Sequence, residues 1–133
     1  MKKAFLAIKF HEDGKNRELI EGLCKVLEEA GFETRNVIRE YENWGKIKLG
    51  PEKLMRLTFE EIDKADFFIL ELSEKGVGLG IEAGYAFSKN KPIIVLAKEG
   101  SDISTTIKGI SKQVILYNHI NEIPTKLRDI LSP

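Results

Sequence analysis

The chain has 133 residues, a mass of 15.1 kDa and a hydrophobic fraction of 42%, which predict one globular domain over residues 1–133. Its 21 basic and 21 acidic residues give a net charge of zero, so we expect neither a nucleic-acid polymer nor a membrane as partner. The apolar run near the start stops at Lys9, too early for a signal peptide, which favours a cytoplasmic protein. With Cys24 as the single cysteine and two histidines, we expect no disulfide and no metal site.

The first half of the chain alternates between strand and helix patterns. Residues 4–8 form a continuous apolar run, which predicts a strand buried on both faces. Residues 16–30 follow a helical period, and Gly31 stands at the C-cap position. Residues 32–38 predict a second strand, and a helix beginning at Pro51 places Thr58 on its inner face.

The second half continues the alternation. Residues 66–72 predict a third strand, 76–80 a glycine-rich loop, 81–89 a helix, 92–97 and 113–117 two more strands, and the residues from 123 onwards a closing helix. Strands that alternate with helices form right-handed crossovers and a parallel sheet. The sequence therefore predicts an α/β fold: a three-layer, doubly wound parallel sheet of five strands, flavodoxin-like or Rossmann-like.

Ligands of such sheets bind outside the carboxyl ends of the strands. Segments 9–16, 73–82 and 98–104 should gather there. Lys9 and His11 follow the first strand, where they could contact a phosphate or sugar or simply be solvated. The long segment 39–50 carries Trp44, which could stack on a base or bury its ring over the sheet edge.

Glu82 is the candidate nucleophile. The glycines Gly76, Gly78 and Gly80 precede it and would let backbone amide groups approach a ligand closely. Glu82 is expected in the first helical turn, where the helix dipole favours an ionised carboxylate, although the same residue could serve only to stabilise the helix. Gly84 costs about 1 kcal/mol relative to alanine in a helix, which suggests that something packs closely against it. The spacing does not match a dinucleotide-binding G-x-G-x-x-G motif.

These motifs carry a family resemblance. The run ADFFILELS at 65–73, the pattern Gly78-x-Gly80-x-Glu82-x-Gly84-x-Ala86 and the tripeptide Asn90-Lys91-Pro92 together resemble the nucleoside 2-deoxyribosyltransferase superfamily. The segment 104–109, STTIKG, is more similar to its branch of 2'-deoxynucleoside 5'-phosphate N-hydrolases. The resemblance implies that Glu82 attacks the anomeric carbon of a nucleotide sugar, displaces the base and forms a glycosyl-enzyme intermediate that water or a second base resolves. It implies no cofactor.

The resemblance further implies a homodimer in which Ser104 helps to bind the 5'-phosphate, partly across the subunit interface. On local pattern alone, Ser101 or Asp102 is expected to cap the next helix. Two positions depart from the hydrolases: Phe5 replaces a tyrosine, and Thr58 replaces an aspartate that assists departure of the base. Glu61, one turn along, either replaces that aspartate or is a solvated surface charge.

The predicted function is cleavage of the N-glycosidic bond of a nucleoside or deoxynucleoside 5'-monophosphate, with release of the free base. Transfer of the deoxyribosyl group to another base is an alternative, because water and a base compete for one intermediate. A non-catalytic nucleotide-binding or signalling module is another, supported by the substitutions at Phe5 and Thr58. A phosphoacceptor receiver domain is a weaker option, since no aspartate ends the third strand and no lysine ends the fifth. Under the two enzymatic hypotheses and the nucleotide-binding hypothesis, the ligand is a small-molecule nucleotide or nucleoside.

Overall fold

The computed structural model describes residues 1–131 and contains one parallel five-stranded sheet. The strands are β1 (Lys2–Ile8), β2 (Phe32–Arg35), β3 (Phe67–Glu71), β4 (Ile93–Lys98) and β5 (Gln113–Tyr117). Their spatial order is β2-β1-β3-β4-β5, which is the flavodoxin-like order. The predicted doubly wound α/β fold is confirmed. The chain reverses its winding direction between β1 and β3, so this fold offers its ligand crevice at the carboxyl ends of those two strands.

In the part of the chain that the structure describes, six helices cover the two faces of the sheet. They are α1 (Arg17–Glu29), α2 (Val37–Glu40), α3 (Pro51–Lys64), α4 (Val77–Ser88), α5 (Thr105–Ile110) and α6 (Ile123–Leu131), with a 3-10 turn at Ile120–Glu122. Residues of α1 and α6 pack on one face, and those of α3, α4 and α5 pack on the other. Within residues 1–131, no helix is both long and apolar enough to cross a membrane.

Alternation along β1 sends neighbouring side chains to opposite layers. Ala4 and Leu6 join the α1 layer of the core, whereas Phe5 and Ala7 join the layer formed with α3 and α4. Phe5 stacks on Phe68 of β3, with ring centroids 5.8 Å apart and planes inclined by 12°. The strand thus fixes Phe5 on the same side of the sheet as the helix that carries Glu82.

The second strand is shorter than predicted. It ends at Arg35 and not at Ile38, because Asn36 begins a short helix instead of continuing the strand. The Asn36 carboxamide oxygen accepts a hydrogen bond from the Arg39 backbone N–H at 3.1 Å. Its amide group donates to the Leu6 carbonyl at 3.0 Å, which ties the turn to β1. A local side-chain cap therefore overrides the apolar pattern of residues 37–38.

The predicted glycine-rich loop at 76–80 is also wrong. Helix α4 begins at Val77, so Gly78 and Gly80 are helical and only Gly76 precedes the helix. The inner face of α4 is buried through Leu79, Ala83 and Ala86. Packing of that face outweighs the cost of about 1 kcal/mol for each helical glycine. As a consequence, Glu82 is the sixth residue of α4 and lies in its second turn, not in the first turn as predicted.

Candidate active site

A cavity of about 130 Å³ lies at the carboxyl end of β1, under α3 and α4, and Glu82 lines it. We call it the Glu82 cavity; its lining is Phe5, Leu6, Ala7, Ile8, Asn36, Val37, Ile38, Glu42, Leu54, Met55, Thr58 and Glu82. A wider groove of about 560 Å³ shares Ile38 and Glu42 with it. We call this the outer groove; its other lining residues are Phe10, Glu12, Gly45, Lys48 and Leu49. The structure thus brings the predicted site residues Phe5, Thr58 and Glu82 to one cavity.

The Glu82 carboxyl is half-buried, and burial raises its pKa from 4.5 to about 7. Burial is the sole cause of this shift. The expectation that the helix dipole keeps this group ionised is therefore wrong. The dipole acts within the first turn of a helix, and Glu82 stands one turn further on. Near neutral pH the group is divided between its acid and carboxylate forms, a perturbation that is frequent at functional sites.

The glycines of α4 do not crowd Glu82. A β-carbon added to Gly80 or Gly84 would meet no atom within 4 Å, and both residues are exposed. The expectation of close packing at Gly84 is wrong. At Gly78, in contrast, an added β-carbon would lie 3.6 Å from Glu82 Oε2. The carboxylate therefore reaches back along the helix toward its first turn, and Gly78 leaves space beside it.

A second cavity, of about 300 Å³, lies on the α1 side of the sheet edge and contains Lys9 and His11. It shares Ile8 with the Glu82 cavity, so the two meet at the end of β1. His11 Nε2 lies 2.7 Å from Glu74 Oε2. The structure therefore places Lys9 and His11 near the predicted sheet edge but not in the cavity of Glu82.

The chain has relatives among curated proteins. It is 26% identical over 136 residues to a protein of Thermofilum pendens named "Putative 2'-deoxynucleoside 5'-phosphate N-hydrolase 1", with 97% of this chain and 94% of the relative covered. A protein of the same name from Syntrophotalea carbinolica is 32% identical over 74 residues, covering 53% of this chain and 52% of that one. No family model matches the chain.

Solved structures similar to this chain are enzymes of related kinds. The CMP N-glycosidase of Clostridium botulinum is 29% identical, with a TM-score of 0.72 and coverage of 98% of this chain and 100% of that chain. The 2-deoxyribosyltransferase of Bacillus psychrosaccharolyticus shares the fold, with a TM-score of 0.69 at 17% identity over 92% and 90% of the two chains. The resemblance to the nucleoside 2-deoxyribosyltransferase superfamily is confirmed. It supports an enzyme of the N-glycosidase or deoxyribosyltransferase kind.

Two residues of the Glu82 cavity differ from the pattern quoted above for the superfamily's hydrolases. Phe5 is 2% exposed and has no polar side-chain atom. Thr58 is 3% exposed, and its hydroxyl donates to the Leu54 carbonyl at 2.8 Å. Neither residue supplies an acidic proton to a ligand in the cavity.

Glu61 does not line the Glu82 cavity and is neither a free acid nor a solvated charge. It is 5% exposed and forms a bidentate pair with Arg35, at 2.8 Å from Nη2 and 3.1 Å from Nε. The Tyr41 hydroxyl donates to the same carboxylate at 2.6 Å. Arg35 lowers the pKa of Glu61. Both expectations for Glu61 are therefore wrong, because its carboxylate is fully engaged in holding α3 to β2 and the following turn.

Trp44 and Ser104 lie outside the Glu82 cavity. Trp44 packs against Phe10, with centroids 6.3 Å apart, and under the Arg17 guanidinium, 4.6 Å from the ring centroid. Ser104 caps α5, since its Oγ accepts from the Ile107 backbone N–H at 3.3 Å. The expectation that Ser101 or Asp102 provides this cap is wrong. Roles for Trp44 and Ser104 in ligand binding stay predictions.

Sequence analysis missed Glu71, which lies at the end of β3 and lines the second cavity. It is 2% exposed, and its carboxylate accepts from the Ser73 backbone N–H at 2.7 Å, from Ser73 Oγ at 2.8 Å and from the Tyr117 hydroxyl. Burial and this hydrogen bond raise the pKa of Tyr117. The signal was present in the sequence, because Glu71 is the one charged residue of a strand that is otherwise apolar.

Proposed function

We propose that this chain hydrolyses the N-glycosidic bond of a nucleoside or deoxynucleoside 5'-monophosphate, with Glu82 as nucleophile, and releases the free base. The observation that carries the proposal is a half-buried carboxyl with a pKa of about 7, lining a cavity at the carboxyl end of β1 in a fold shared with a CMP N-glycosidase. Burial is productive here because it leaves the carboxylate poorly solvated and ready to bond to carbon.

The reaction has two steps. A Glu82 carboxylate oxygen forms a bond to the anomeric carbon while the bond from that carbon to the base nitrogen breaks, and the electron pair leaves with the base. The transition state resembles an oxocarbenium ion, which the negative carboxylate stabilises. Water then adds to the anomeric carbon, the ester bond to Glu82 breaks, and a sugar phosphate leaves.

Several described groups are available for the rest of the substrate. The sugar would occupy the Glu82 cavity and the base the outer groove, where Trp44 lies on the neighbouring segment. The phosphate would extend over the end of β1 toward Lys9 and His11, whose cavity adjoins at Ile8. Free amide groups in the first turn of α4, that of Gly78 among them, are further donors for an anion.

We also propose that the protein acts as a homodimer through the outer face of α4. Val77, Ile81 and Phe87 on that face are 84%, 51% and 52% exposed, and Gly80 and Gly84 lie between them. No charged residue interrupts the face. A helix with apolar residues on both its inner and its outer face is suited to burial on both sides. A second copy on this face would lie close to the helix that carries Glu82, in keeping with a Ser104 contribution across the interface.

The test is release of free base, measured by chromatography, from a panel of ribonucleoside and deoxyribonucleoside monophosphates. CMP is the first substrate because the similar solved structure is a CMP N-glycosidase. Glu82→Gln should abolish release, whereas Glu29→Gln, an exposed glutamate at the end of α1 and outside both cavities and the outer groove, should leave it unchanged. Absence of release above the Glu82→Gln level across the panel contradicts the proposal. A new nucleotide formed when a second base is added identifies deoxyribosyl transfer instead.

A non-catalytic nucleotide-binding module is the second candidate. It is favoured by the lack of an acidic proton at both Phe5 and Thr58. Calorimetric titration with the same monophosphates separates the two functions. Saturable binding with no base released over hours identifies a binding module.

A further inference from the structure

We infer that Glu42 is the general acid that protonates the departing base, taking over the task for which Thr58 is chemically unsuited. The inference rests on the proposed function and adds to it a second catalytic residue. Glu42 was not among the residues that sequence analysis selected, since its position in an irregular segment carries no local pattern.

Glu42 lies at the junction of the Glu82 cavity and the outer groove and lines both. Among the residues that line the Glu82 cavity, only Glu42 and Glu82 have ionisable side chains. They come from different elements, Glu82 from α4 and Glu42 from the turn after α2. A substrate with its sugar at Glu82 and its base in the outer groove would therefore place the glycosidic bond between two carboxyl groups, as glycoside cleavage requires.

The backbone holds Glu42 in place. Its N–H donates to the Val37 carbonyl at 3.2 Å, and its carbonyl accepts from the N–H groups of Gly45 and Ile47, each at 3.0 Å. A catalytic acid needs such fixation, because proton transfer depends on hydrogen-bond distance to the reacting atom. The turn therefore presents Glu42 as a positioned side chain although it lies outside any long helix or strand.

Burial favours the protonated form of Glu42, which a general acid requires. Burial raises the pKa of Glu42, and the Leu49 backbone N–H and the Lys48 ammonium group offset part of this effect. The reactive state is the one in which Glu82 is a carboxylate and Glu42 is a carboxylic acid. The anomeric carbon becomes positive in the transition state, which favours the ionised form of Glu82. The departing base gains an electron pair, and this pair accepts the proton of Glu42.

The other described candidates for this role are engaged elsewhere. The Glu61 carboxylate is held by Arg35 and Tyr41 away from the cavity. The Thr58 hydroxyl already donates to a carbonyl of its own helix. Glu42 is the one carboxyl that lines both the Glu82 cavity and the outer groove among the residues that form them.

The full cycle balances with Glu42 in this role. The Glu42 carboxylic acid gives its proton to a nitrogen or oxygen of the base as the glycosidic bond breaks, and the neutral base leaves. The resulting Glu42 carboxylate then takes a proton from water as the water oxygen bonds to the anomeric carbon. Glu82 leaves as a carboxylate, and Glu42 is an acid again. The net change is addition of one water across the glycosidic bond.

The test compares two leaving groups in the Glu42→Gln variant. For the monophosphate with the highest turnover, kcat/KM, which reports the steps up to cleavage of the glycosidic bond, should fall by about 10²–10⁴-fold, the usual contribution of general acid catalysis. For the corresponding 4-nitrophenyl glycoside 5'-phosphate, kcat/KM should stay within about threefold, because nitrophenolate leaves without a proton. Glu82→Gln should abolish both reactions, and Glu29→Gln, at the exposed end of α1, should change neither.

Every other outcome contradicts the role of Glu42 as general acid. An equal loss of kcat/KM on both substrates shows a structural role, and no loss on the monophosphate shows no role. If Glu42→Gln is not folded by circular dichroism, Glu42→Asp replaces it and should slow release of the natural base more than release of nitrophenolate. Failure of the proposed function has a different signature, since the wild-type protein would then release no base or Glu82→Gln would remain active.

The pH dependence gives a second readout. Wild-type kcat/KM should form a bell, rising as Glu82 ionises and falling as Glu42 loses its proton. The charged groups around Glu42 are Glu82 across the cavity and Lys48 and Glu12 in the outer groove. Glu42→Gln should remove the alkaline fall, whereas Glu29→Gln should retain it. Retention of the alkaline fall in Glu42→Gln contradicts the inference.

Discussion

Glu82 Oε2 lies 3.6 Å from the point that a β-carbon on Gly78 would occupy. This is an ordinary van der Waals distance, so the fold accepts alanine there. The methyl group would nevertheless take the space beside the attacking oxygen. The backbone at Gly78 is helical and does not require a glycine. The importance of Gly78 is therefore the space that it leaves beside the Glu82 carboxylate.

For Gly78→Ala we expect a gain in the free energy of unfolding of up to ~1 kcal/mol, since alanine is favoured over glycine in helices, together with a loss of tenfold or more in kcat/KM. Thermal denaturation and base release measure the two effects. Gly109→Ala in α5, where an added β-carbon meets no atom within 4 Å, is the control and should change stability alone. Unchanged kcat/KM in Gly78→Ala would show that the space beside Glu82 is not used.

Replacing Glu82 by glutamine should stabilise the protein while it removes activity. The pKa of Glu82 is 4.5 in the unfolded reference and about 7 when folded, so ionisation opposes folding above pH 4.5. The penalty grows up to pH 7, where a shift of this size corresponds to ~3 kcal/mol. Glu82→Gln should therefore exceed the wild-type protein in stability at pH 8 and match it near pH 4.5. Urea denaturation at both pH values measures this, with Glu12→Gln as the exposed control.

Much of the architecture follows from apolar periodicity alone. The strand over Gln113–Tyr117 and the helix beginning at Pro51 were predicted to the residue, because packing and local propensity agree there. The prediction fails where a single local interaction outweighs the pattern. The Asn36 side chain starts a helix inside a predicted strand, and burial of Leu79 and Ala83 extends α4 through two glycines.

The site was predictable only in part, for a physical reason. Glu82 has a motif around it, and Phe5 and Thr58 are placed by strand and helix periodicity. Glu42 reaches the same cavity through a turn whose path depends on positive φ values at Asn43 and Trp44, which no periodicity reveals. The bond between Glu61 and Arg35 joins α3 to β2 across 26 residues of sequence. Such contacts depend on the fold and have no local signature.

The carboxylate of Glu61 should matter for stability and not for the chemical step. Glu61→Gln is expected to lower the free energy of unfolding by about 1.5–3 kcal/mol at pH 7, the usual range for hydrogen bonds to charged groups. Arg35 lowers the pKa of Glu61, so this contribution is present above the unfolded-state value and is lost as pH falls through the folded-state value. The difference from wild type should therefore shrink on acidification.

The controls for Glu61 separate stability from catalysis. Tyr41→Phe removes one of the three hydrogen bonds on this carboxylate and should cost less, about 0.5–1.5 kcal/mol. The folded fraction of Glu61→Gln should keep its wild-type kcat at 20 °C or below. A loss of kcat in fully folded Glu61→Gln would make Glu61 the acid and displace Glu42 from that role.

The outer face of α4 gives the last prediction, which concerns assembly. Ile81 and Ile47 are both 51% exposed, but only Ile81 lies on the uncharged face shared with Val77 and Phe87. Burying a lysine ammonium without a partner in an apolar interface is costly, so Ile81→Lys should convert a dimer into a monomer in sedimentation velocity. Ile47→Lys introduces the same charge at equal exposure on another segment and should remain dimeric. A wild-type protein that is monomeric at micromolar concentration would show that α4 does not form an interface. Equal dissociation of both variants would show the same, because the effect would then come from the added charge and not from the position of Ile81.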